Sequence, residues 1–124
     1  MARILVVDDD PGFCTLLRIC LMQAGHEVIE AYSGLEGLAV LLGTHIDLVT
    51  LDVIMPGMSG MRTLELLRER HGYKLPVLII SGLSRMSDEL QAIKTGAEYL
   101  KKPVAPEVLR EVVGRLLATA ERTR

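Results

Sequence analysis

The chain has 124 residues, of which 49% are hydrophobic, and its formal net charge is −2. This length suits one ordinary domain with a single core, so we expect residues 1–124 to form one domain. The slightly negative charge argues against direct contact with nucleic acid or with an anionic membrane, and no apolar run reaches the length of a membrane span.

Short apolar runs alternate with segments of helical period along the chain. The alternation predicts an α/β fold with strands near 3–7, 27–31, 47–51, 76–80 and 97–101. The first and fourth runs are apolar on both faces, as central strands are, whereas Glu27 and Glu30 in the second run predict an edge strand. Right-handed crossovers then place all five strands in one doubly wound parallel sheet.

The predicted helices have recognisable ends. Pro11 suits the first turn of a helix that ends before Gly25, and Ser33 with Glu36 forms a capping-box pattern that opens the next helix. Gly72 and Gly96 stand where two further helices are predicted to stop, and Pro106 stands where the last helix is predicted to start.

The two cysteines and the start of the chain bear on the cellular compartment. Cys14 and Cys20 point to different faces of the first predicted helix, which puts them out of disulfide geometry. The chain enters its first strand without the features of a signal peptide. Both observations predict a cytoplasmic protein with free thiols.

Polar side chains stand where the predicted strands end. In a doubly wound sheet these ends meet at one edge, where ligands bind. Clustered carboxylates repel by several kcal/mol at intermediate dielectric, so we expect a divalent cation and a lysine close by. Hard oxygen ligands suit Mg²⁺, which often shares its coordination shell with a phosphoryl group. The residues placed at this edge are Asp8, Asp9, Asp52, Ser81 and Lys102.

All of these residues except Asp52 also have a simpler explanation when taken alone. Residues 8–10 can form a solvated turn whose last member caps the first helix, and a lone Ser81 hydroxyl is usually satisfied by nearby backbone. Lys102 would by default be a surface lysine. Lys101 is one residue out of phase with Lys102, so only one of the two is expected to point inward, and the bond from Lys102 to Pro103 can be cis.

Taken together, the chain resembles the response-regulator receiver domains of bacterial two-component signalling over essentially its whole length. The matching segments are residues 4–10, Asp52 with 55–60, 80–82 and 96–103. The resemblance implies a flavodoxin-like, CheY-like (βα)5 fold with strand order 2-1-3-4-5. It also implies a signalling switch that takes part in its own phosphorylation and dephosphorylation, rather than an enzyme acting on other substrates.

The resemblance assigns roles to the polar residues at the sheet edge. Asp52 is expected to accept the phosphoryl group from a sensor histidine kinase or a phosphotransfer protein. Asp8 and Asp9 are expected to hold Mg²⁺ together with Asp52 and the main-chain carbonyl of Ile54. Lys102 is expected to bind the transferred phosphoryl group.

The same resemblance implies a conformational readout. Ser81 takes the role of the switch hydroxyl and Tyr99 that of the aromatic side chain that changes rotamer, which alters a surface bound by an effector protein or a fused output domain. The exposed face of the fourth predicted helix leaves open a weak partner or dimer contact, although an ordinary solvated face is the simpler explanation. Its polar residues are Arg85, Asp88, Gln91 and Lys94.

Three positions depart from common receiver patterns. Val104 stands where many receivers have Phe, which weakens assignment to the winged-helix transcription-factor class. Ile54 and Leu83 occupy positions that often carry polar side chains able to orient water. Apolar residues there predict slow self-dephosphorylation.

Three other readings compete with a phosphoaccepting receiver. Phosphatases of the haloacid-dehalogenase type have a second aspartate two residues after the nucleophile, and Ile54 occupies that position here. A flavodoxin-like flavin binder needs a first loop that cradles phosphate, which residues 8–10 would repel. A pseudo-receiver that only binds partners usually lacks one of the acids or the lysine. The sequence leaves open whether the chain stands alone or is part of a longer protein.

Overall fold

Strands and helices alternate strictly along the chain. The computed structural model describes residues 1–82 and 86–122, and within the fourth helix it describes side chains from residue 90 onward. The elements are β1 Arg3–Val7, α1 Pro11–Gln23, β2 Glu27–Ala31, α2 Gly34–Gly43, β3 Leu48–Leu51, α3 Gly60–His71, β4 Val77–Ser81, α4 Met86–Lys94, β5 Glu98–Lys101 and α5 Pro106–Arg122.

The five strands form one parallel sheet in the order β2-β1-β3-β4-β5, which confirms the predicted topology. The helices provide the crossovers that parallel neighbours require. The mixed strand β2 lies at an edge, as predicted, and every residue of β3 and β4 is buried. Three strands begin one residue later than predicted, and β4 extends to Ser81. Pro76 precedes β4 because proline has no N–H to donate to a neighbouring strand.

Helices cover both faces of the sheet, and each face has its own buried apolar cluster. The first cluster joins the sheet to α2, α3 and α4, and the second joins it to α1 and α5. Successive side chains along each strand therefore point alternately into the two clusters, as expected for a sheet buried on both sides. Helix contributions to the second cluster are Cys14, Leu17, Leu21, Leu109 and Val113.

Local signals in the sequence set the helix ends. Asp10 caps α1 through its side chain, and the Ser33 hydroxyl accepts a hydrogen bond from the Glu36 N–H at the start of α2. Gly72 and Gly96 adopt φ values of 70° and 75° after α3 and α4, a backbone region that glycine enters without a steric penalty.

Two further expectations are met in the fold. Cys14 and Cys20 are both free thiols, the first buried and the second half-buried. The peptide bond between Lys102 and Pro103 is cis.

Among the helices that the structure describes, none combines the length and apolar character needed to cross a bilayer.

Candidate functional site

The register of the sheet brings the predicted polar residues to one edge. Val7 of β1 pairs with Leu51 of β3, so Asp8 and Asp52 leave adjacent strands at the same level. Ser81 of β4 likewise pairs with Lys101 of β5, one residue before Lys102. Parallel pairing therefore gathers residues from distant parts of the chain.

Three carboxylates form a compact acidic cluster at this edge. One oxygen from each of Asp8, Asp9 and Asp52 lies within 4.8 Å of the other two. Asp8 and Asp52 are buried, whereas Asp9 is exposed. Asp10 does not join them, because its Oδ1 accepts hydrogen bonds from the N–H groups of Gly12 at 3.0 Å and of the next residue in the helix. The acidic run thus divides between a cluster and a helix cap.

Lys102 is the cation of the cluster. Its Nζ donates to Asp8 Oδ2 at 2.9 Å and to Asp52 Oδ2 at 3.2 Å. Its backbone N–H donates to the Ser81 carbonyl at 2.9 Å, which continues the β4–β5 pairing to the end of the strand. Lys101 is exposed, in agreement with the expectation that only one of the two lysines points inward.

Burial and charge act in opposite directions at this site. Burial raises the pKa of Asp8 above 3.8, and the backbone N–H of Asp10 and the ammonium of Lys102 offset this only in part. Burial alone would lower the pKa of Lys102, yet its bonds and charge interactions with Asp8 and Asp52 leave that pKa raised. The two carboxylates that Lys102 contacts therefore favour its ammonium form.

The buried thiol of Cys14 lies next to the same negative charge. Burial raises its pKa to about 12, and the charges of Asp8, Glu30 and Asp10 act in the same direction. Its Sγ donates to the Asp8 carbonyl at 3.3 Å. Because the thiolate is strongly disfavoured, Cys14 is a packing residue rather than a nucleophile.

The loop after Asp52 holds the second oxygen of that carboxylate. The Ile54 N–H donates to Asp52 Oδ1 at 3.0 Å. Gly57 has a φ of 75°, a backbone region that glycine enters readily, and it gives this loop an irregular path. Gly60 is required for another reason, since a Cβ there would overlap the Asp52 carbonyl oxygen and the Val53 Cα. The position of Asp52 thus depends on a glycine at the start of α3.

The two residues expected to act as a switch are both part of the sheet. Ser81 is fully buried, and its hydroxyl has no hydrogen-bond partner among the described residues. Such an unpaired hydroxyl costs about 1–3 kcal/mol, so a new acceptor at this edge would be favoured. Tyr99 is half-buried on β5 and packs against the first apolar cluster. The side chains of Leu83, Arg85 and Asp88 lie outside the described residues.

One neighbour of the site was not predicted from the sequence. The Phe13 ring lies against Lys102, with Nζ 4.1 Å from the ring centroid. Side chains in the first turn of a helix lean back towards the helix N-terminus, so a residue three positions after the Asp10 cap can reach the preceding strand end. That geometry is the signal that could have identified Phe13.

The donor set suits a hard divalent cation. The cluster offers carboxylate oxygens from three aspartates, one of them exposed. Magnesium prefers oxygen ligands and retains waters, which an exposed side of the cluster would accommodate. A divalent cation would also favour the ionised form of Asp8, which burial disfavours. The residues present therefore fit Mg²⁺.

Comparison with known proteins identifies the family. Residues 4–114 match the response regulator receiver domain, and the chain belongs to that family. Receiver domains are the switch modules of two-component response regulators, and this chain is such a receiver domain. Family membership favours the receiver over the phosphatase and the flavin-binding alternatives.

Curated relatives include both short and long proteins. Protein PilH of Pseudomonas aeruginosa is 35% identical over 120 residues, covering 95% of this chain and 99% of PilH. The DNA-binding dual master transcriptional regulator RpaA of Synechocystis is 35% identical over 125 residues, covering 99% of this chain and 51% of RpaA. The chain thus spans nearly all of one relative and about half of the other.

Solved structures show the same fold. A CheY-like receiver domain protein from Methanospirillum hungatei superposes with a TM-score of 0.95 at 28% identity, covering 100% of this chain and 99% of that one. A receiver domain protein from Clostridium thermocellum superposes with a TM-score of 0.93 at 31% identity, with 100% of both chains covered. These likenesses confirm the CheY-like form of the doubly wound sheet.

Proposed function

We propose that this chain is a phosphoaccepting receiver in which Asp52 takes a phosphoryl group from a sensor histidine kinase or a histidine phosphotransfer protein. The observation that carries the proposal is the placement of Asp52. Its carboxylate is buried, lies within 4.8 Å of two further carboxylates and accepts a hydrogen bond from Lys102. A structural aspartate would need the lysine alone, whereas a phosphoryl site needs both a cation-binding cluster and a lysine.

The proposed reaction is an in-line transfer. One Asp52 oxygen forms a bond to phosphorus, the phosphorus–nitrogen bond of the donor phosphohistidine breaks, and its electron pair stays on the imidazole. Magnesium bound to Asp8, Asp9, Asp52 and the Ile54 carbonyl would neutralise charge on the phosphoryl oxygens. Within the chain, catalysis consists of positioning and electrostatic stabilisation.

Lys102 supplies the positive charge that the chain itself holds at the site. Its Nζ already bonds to Asp52 Oδ2 at 3.2 Å, so it lies beside the atoms that would receive the phosphoryl group. A transferred phosphoryl oxygen can take over this hydrogen bond without movement of the Lys102 backbone. The bond from Nζ to Asp8 Oδ2 would hold the ammonium during that exchange.

A phosphoryl group on Asp52 also offers new acceptors to Ser81. The buried hydroxyl of Ser81 has no partner among the described residues, so bonding to a phosphoryl oxygen would remove a desolvation cost. Movement of Ser81 would open space for Tyr99 on the neighbouring strand. A difference of a few kcal/mol between two arrangements suffices for a switch.

The switched surface would be read by an effector protein or by a fused output domain. The lengths of the relatives support both arrangements, since the chain covers 99% of PilH but 51% of RpaA. Phosphorelay of this kind, together with the free thiols of Cys14 and Cys20, supports a cytoplasmic location. We assign the receiver function to the whole of residues 1–124.

Intact mass spectrometry tests the proposal. The purified chain is incubated with acetyl phosphate and Mg²⁺, beside an Asp52→Asn variant and a Glu111→Gln variant at an exposed position of α5. We expect a mass gain of one phosphoryl group in the parent and in Glu111→Gln, and none in Asp52→Asn. No gain in the parent, despite measurable Mg²⁺ binding, would favour a pseudo-receiver that only binds partners.

A further inference from the structure

The Lys102 ammonium has neighbours of two kinds. Asp8 Oδ2 and Asp52 Oδ2 accept hydrogen bonds from it at 2.9 and 3.2 Å. The Phe13 ring lies against it, with 4.1 Å between Nζ and the ring centroid. This distance is well within the range at which the negative face of an aromatic ring attracts a cation.

The Phe13 ring is fixed by contacts that are independent of Lys102. Its backbone N–H donates to Asp10 Oδ1 at 3.3 Å as part of the helix cap. Its side chain packs, partly buried, against the apolar cluster that joins the sheet to α1 and α5. Because the cap and the core both restrict Phe13, the ring can act as a fixed wall for the ammonium.

A ring next to the Lys102 ammonium has an advantage that a third carboxylate in the same place would not have. The ring attracts the ammonium but supplies no lone pair that would compete with a phosphoryl oxygen for its N–H groups. An aliphatic side chain of the same volume would exclude water equally well but would not attract the charge. The ring therefore holds Lys102 at the site while leaving its hydrogen bonds free to be exchanged.

We propose that Phe13 is a positioning residue for phosphoryl acceptance, which holds the Lys102 ammonium at Asp52 through its ring face. The inference rests on the proposed function of Asp52. It adds a residue outside the acidic cluster, from the first turn of α1, to the set that determines the rate of phosphoryl transfer.

The composition of the chain allows a sharp test. Phe13 is the only phenylalanine in the sequence, so growth of a phenylalanine auxotroph on a fluorinated analogue alters this ring alone. Mono-, di- and trifluorinated rings lose negative charge on their faces stepwise, with little change in size. The rate of phosphoryl gain from saturating acetyl phosphate and Mg²⁺ is measured for each protein, together with its urea unfolding midpoint.

We expect the rate to fall with each added fluorine, by roughly 3-fold to 10-fold in total, while the unfolding midpoint stays constant. In a Lys102→Met background the same fluorination should change nothing, because the cation is gone. Phe13→Leu should be slow and Phe13→Tyr near the parental rate. Should Phe13→Leu fail to fold, the fluorinated series still decides the question.

The outcomes separate this inference from the function on which it rests. A parent that gains no phosphoryl group, in the presence of measurable Mg²⁺ binding, would overturn the proposed function itself. A parent that is phosphorylated at a rate independent of fluorination would leave that function intact. It would show that Phe13 only packs against Lys102.

Discussion

Lys102 Nζ lies 2.9 Å from Asp8 Oδ2, although 94 positions separate the two residues in the chain. Asp8 follows β1 and Lys102 follows β5, and two strands, β3 and β4, lie between β1 and β5 in the sheet. The lysine side chain therefore reaches across the carboxyl ends of the central strands. This contact can form only when β1, β3, β4 and β5 are in place, so the site is completed together with most of the sheet.

Magnesium should stabilise the folded chain through the acidic cluster. A ligand that binds only the native state raises the free energy of unfolding by about 2.7 kcal/mol at a hundredfold excess over Kd. Because Asp8 and Asp9 would supply ligands, Asp8→Asn and Asp9→Asn should lose most of this gain. Thermal unfolding with Mg²⁺ or with EDTA measures the effect.

The Glu111→Gln variant is the control for this experiment. Glu111 is an exposed acid on α5 and lies outside the acidic cluster. It should show the same magnesium-dependent rise in Tm as the parent. An equal rise in Asp8→Asn would contradict the assignment of Asp8 as a ligand.

Gly60→Ala should displace Asp52. A Cβ at this position would overlap the Asp52 carbonyl oxygen and the Val53 Cα, which are backbone atoms that cannot rotate away. We expect a loss of about 2–3 kcal/mol in stability, a typical cost of strain in a packed site. Phosphoryl gain should also slow by roughly 10-fold or more, since small displacements of reacting groups are costly. Urea unfolding and intact mass kinetics measure the two effects.

Gly114→Ala provides the matched comparison. Gly114 lies inside α5, and a Cβ there would have no atom within 4 Å. Alanine is the better helix former, so this variant should gain roughly 0.5–1 kcal/mol and keep the parental phosphorylation rate. Similar behaviour of the two alanine variants would mean that the loop tolerates the added methyl group.

Most of the fold was predictable because its signals are local. Alternating apolar runs placed each strand within one residue of its observed start, and capping patterns placed the start of α1 and α2. Phe13 and Arg68 were not predicted to matter, and Gly60 was identified only as part of the loop segment that resembles receiver domains. Each depends on a contact with a distant or non-adjacent group that the sequence does not specify: the Asp52 backbone, the Lys102 ammonium and the Thr95 carbonyl.

The acidic cluster itself was predictable for a related reason. Parallel strands align their carboxyl ends, so residues that follow strands become neighbours once the topology is known. The division of the acidic run was also predicted: the sequence offered Asp10 as the cap of the first helix, and the family resemblance grouped Asp8 and Asp9 with Asp52. The hydrogen-bond partner of each carboxylate oxygen was not predictable, because it depends on side-chain geometry that the sequence does not specify.

Arg68 should be an important contributor to stability. It is 6% exposed, and its Nε donates to the Thr95 carbonyl at 2.8 Å. Its Nη1 donates to the carbonyls of Gly72 and Leu75, and its guanidinium lies 5.4 Å from the Tyr73 ring centroid. No carboxylate pairs with it among the described residues, and burial lowers its pKa. Arg68 therefore connects the end of α3 to the turn after α4.

Replacement of Arg68 by methionine would leave three carbonyls without this donor. We expect Arg68→Met to lose about 2–4 kcal/mol in urea unfolding, the usual range when buried hydrogen bonds to a charged group are broken. Arg70→Met, at an exposed position of the same helix, should change stability by less than about 0.5 kcal/mol. If Arg68→Met lost no more stability than Arg70→Met, the hydrogen bonds of Arg68 would not contribute to stability and its role would be apolar packing.

His26 should make stability depend on pH. Its Nδ1 accepts a hydrogen bond from the Ala2 N–H at 3.2 Å, which requires an unprotonated nitrogen. Burial, with the positive charge at the chain terminus, lowers its pKa below 6.5. The unfolded chain therefore takes up a proton first as pH falls. Stability contributed by neutral His26 is present above 6.5 and is lost between 6.5 and the lowered folded pKa.

The His26→Asn variant isolates this effect because asparagine keeps an acceptor and does not titrate. We expect the parent to lose stability relative to His26→Asn when urea unfolding is compared at about pH 8 and about pH 5. His71→Asn, at an exposed position at the end of α3, controls for the removal of one histidine. A parent-to-variant difference that stays constant across this range would exclude His26 as the cause.

Ile54 should prolong the life of the proposed phosphoaspartate. Its side chain is 47% exposed, and its N–H donates to Asp52 Oδ1 at 3.0 Å, so it lies beside the atoms that would carry the phosphoryl group. An isoleucine side chain has no group that could orient an attacking water. Ile54→Asn adds an amide at the same place and should speed phosphoryl loss by roughly 3-fold to 10-fold, through better positioning of water.

Decay of the phosphorylated mass after removal of the donor, in buffer with Mg²⁺, measures this lifetime. Ile54→Val keeps an apolar, branched side chain and should decay at the parental rate. Because the Ile54 N–H is retained in both variants, its bond to Asp52 is not the variable, and a difference between them reports the side chain alone. Equal decay rates in the parent and in Ile54→Asn would mean that water reaches the phosphoryl group by a path that residue 54 does not control.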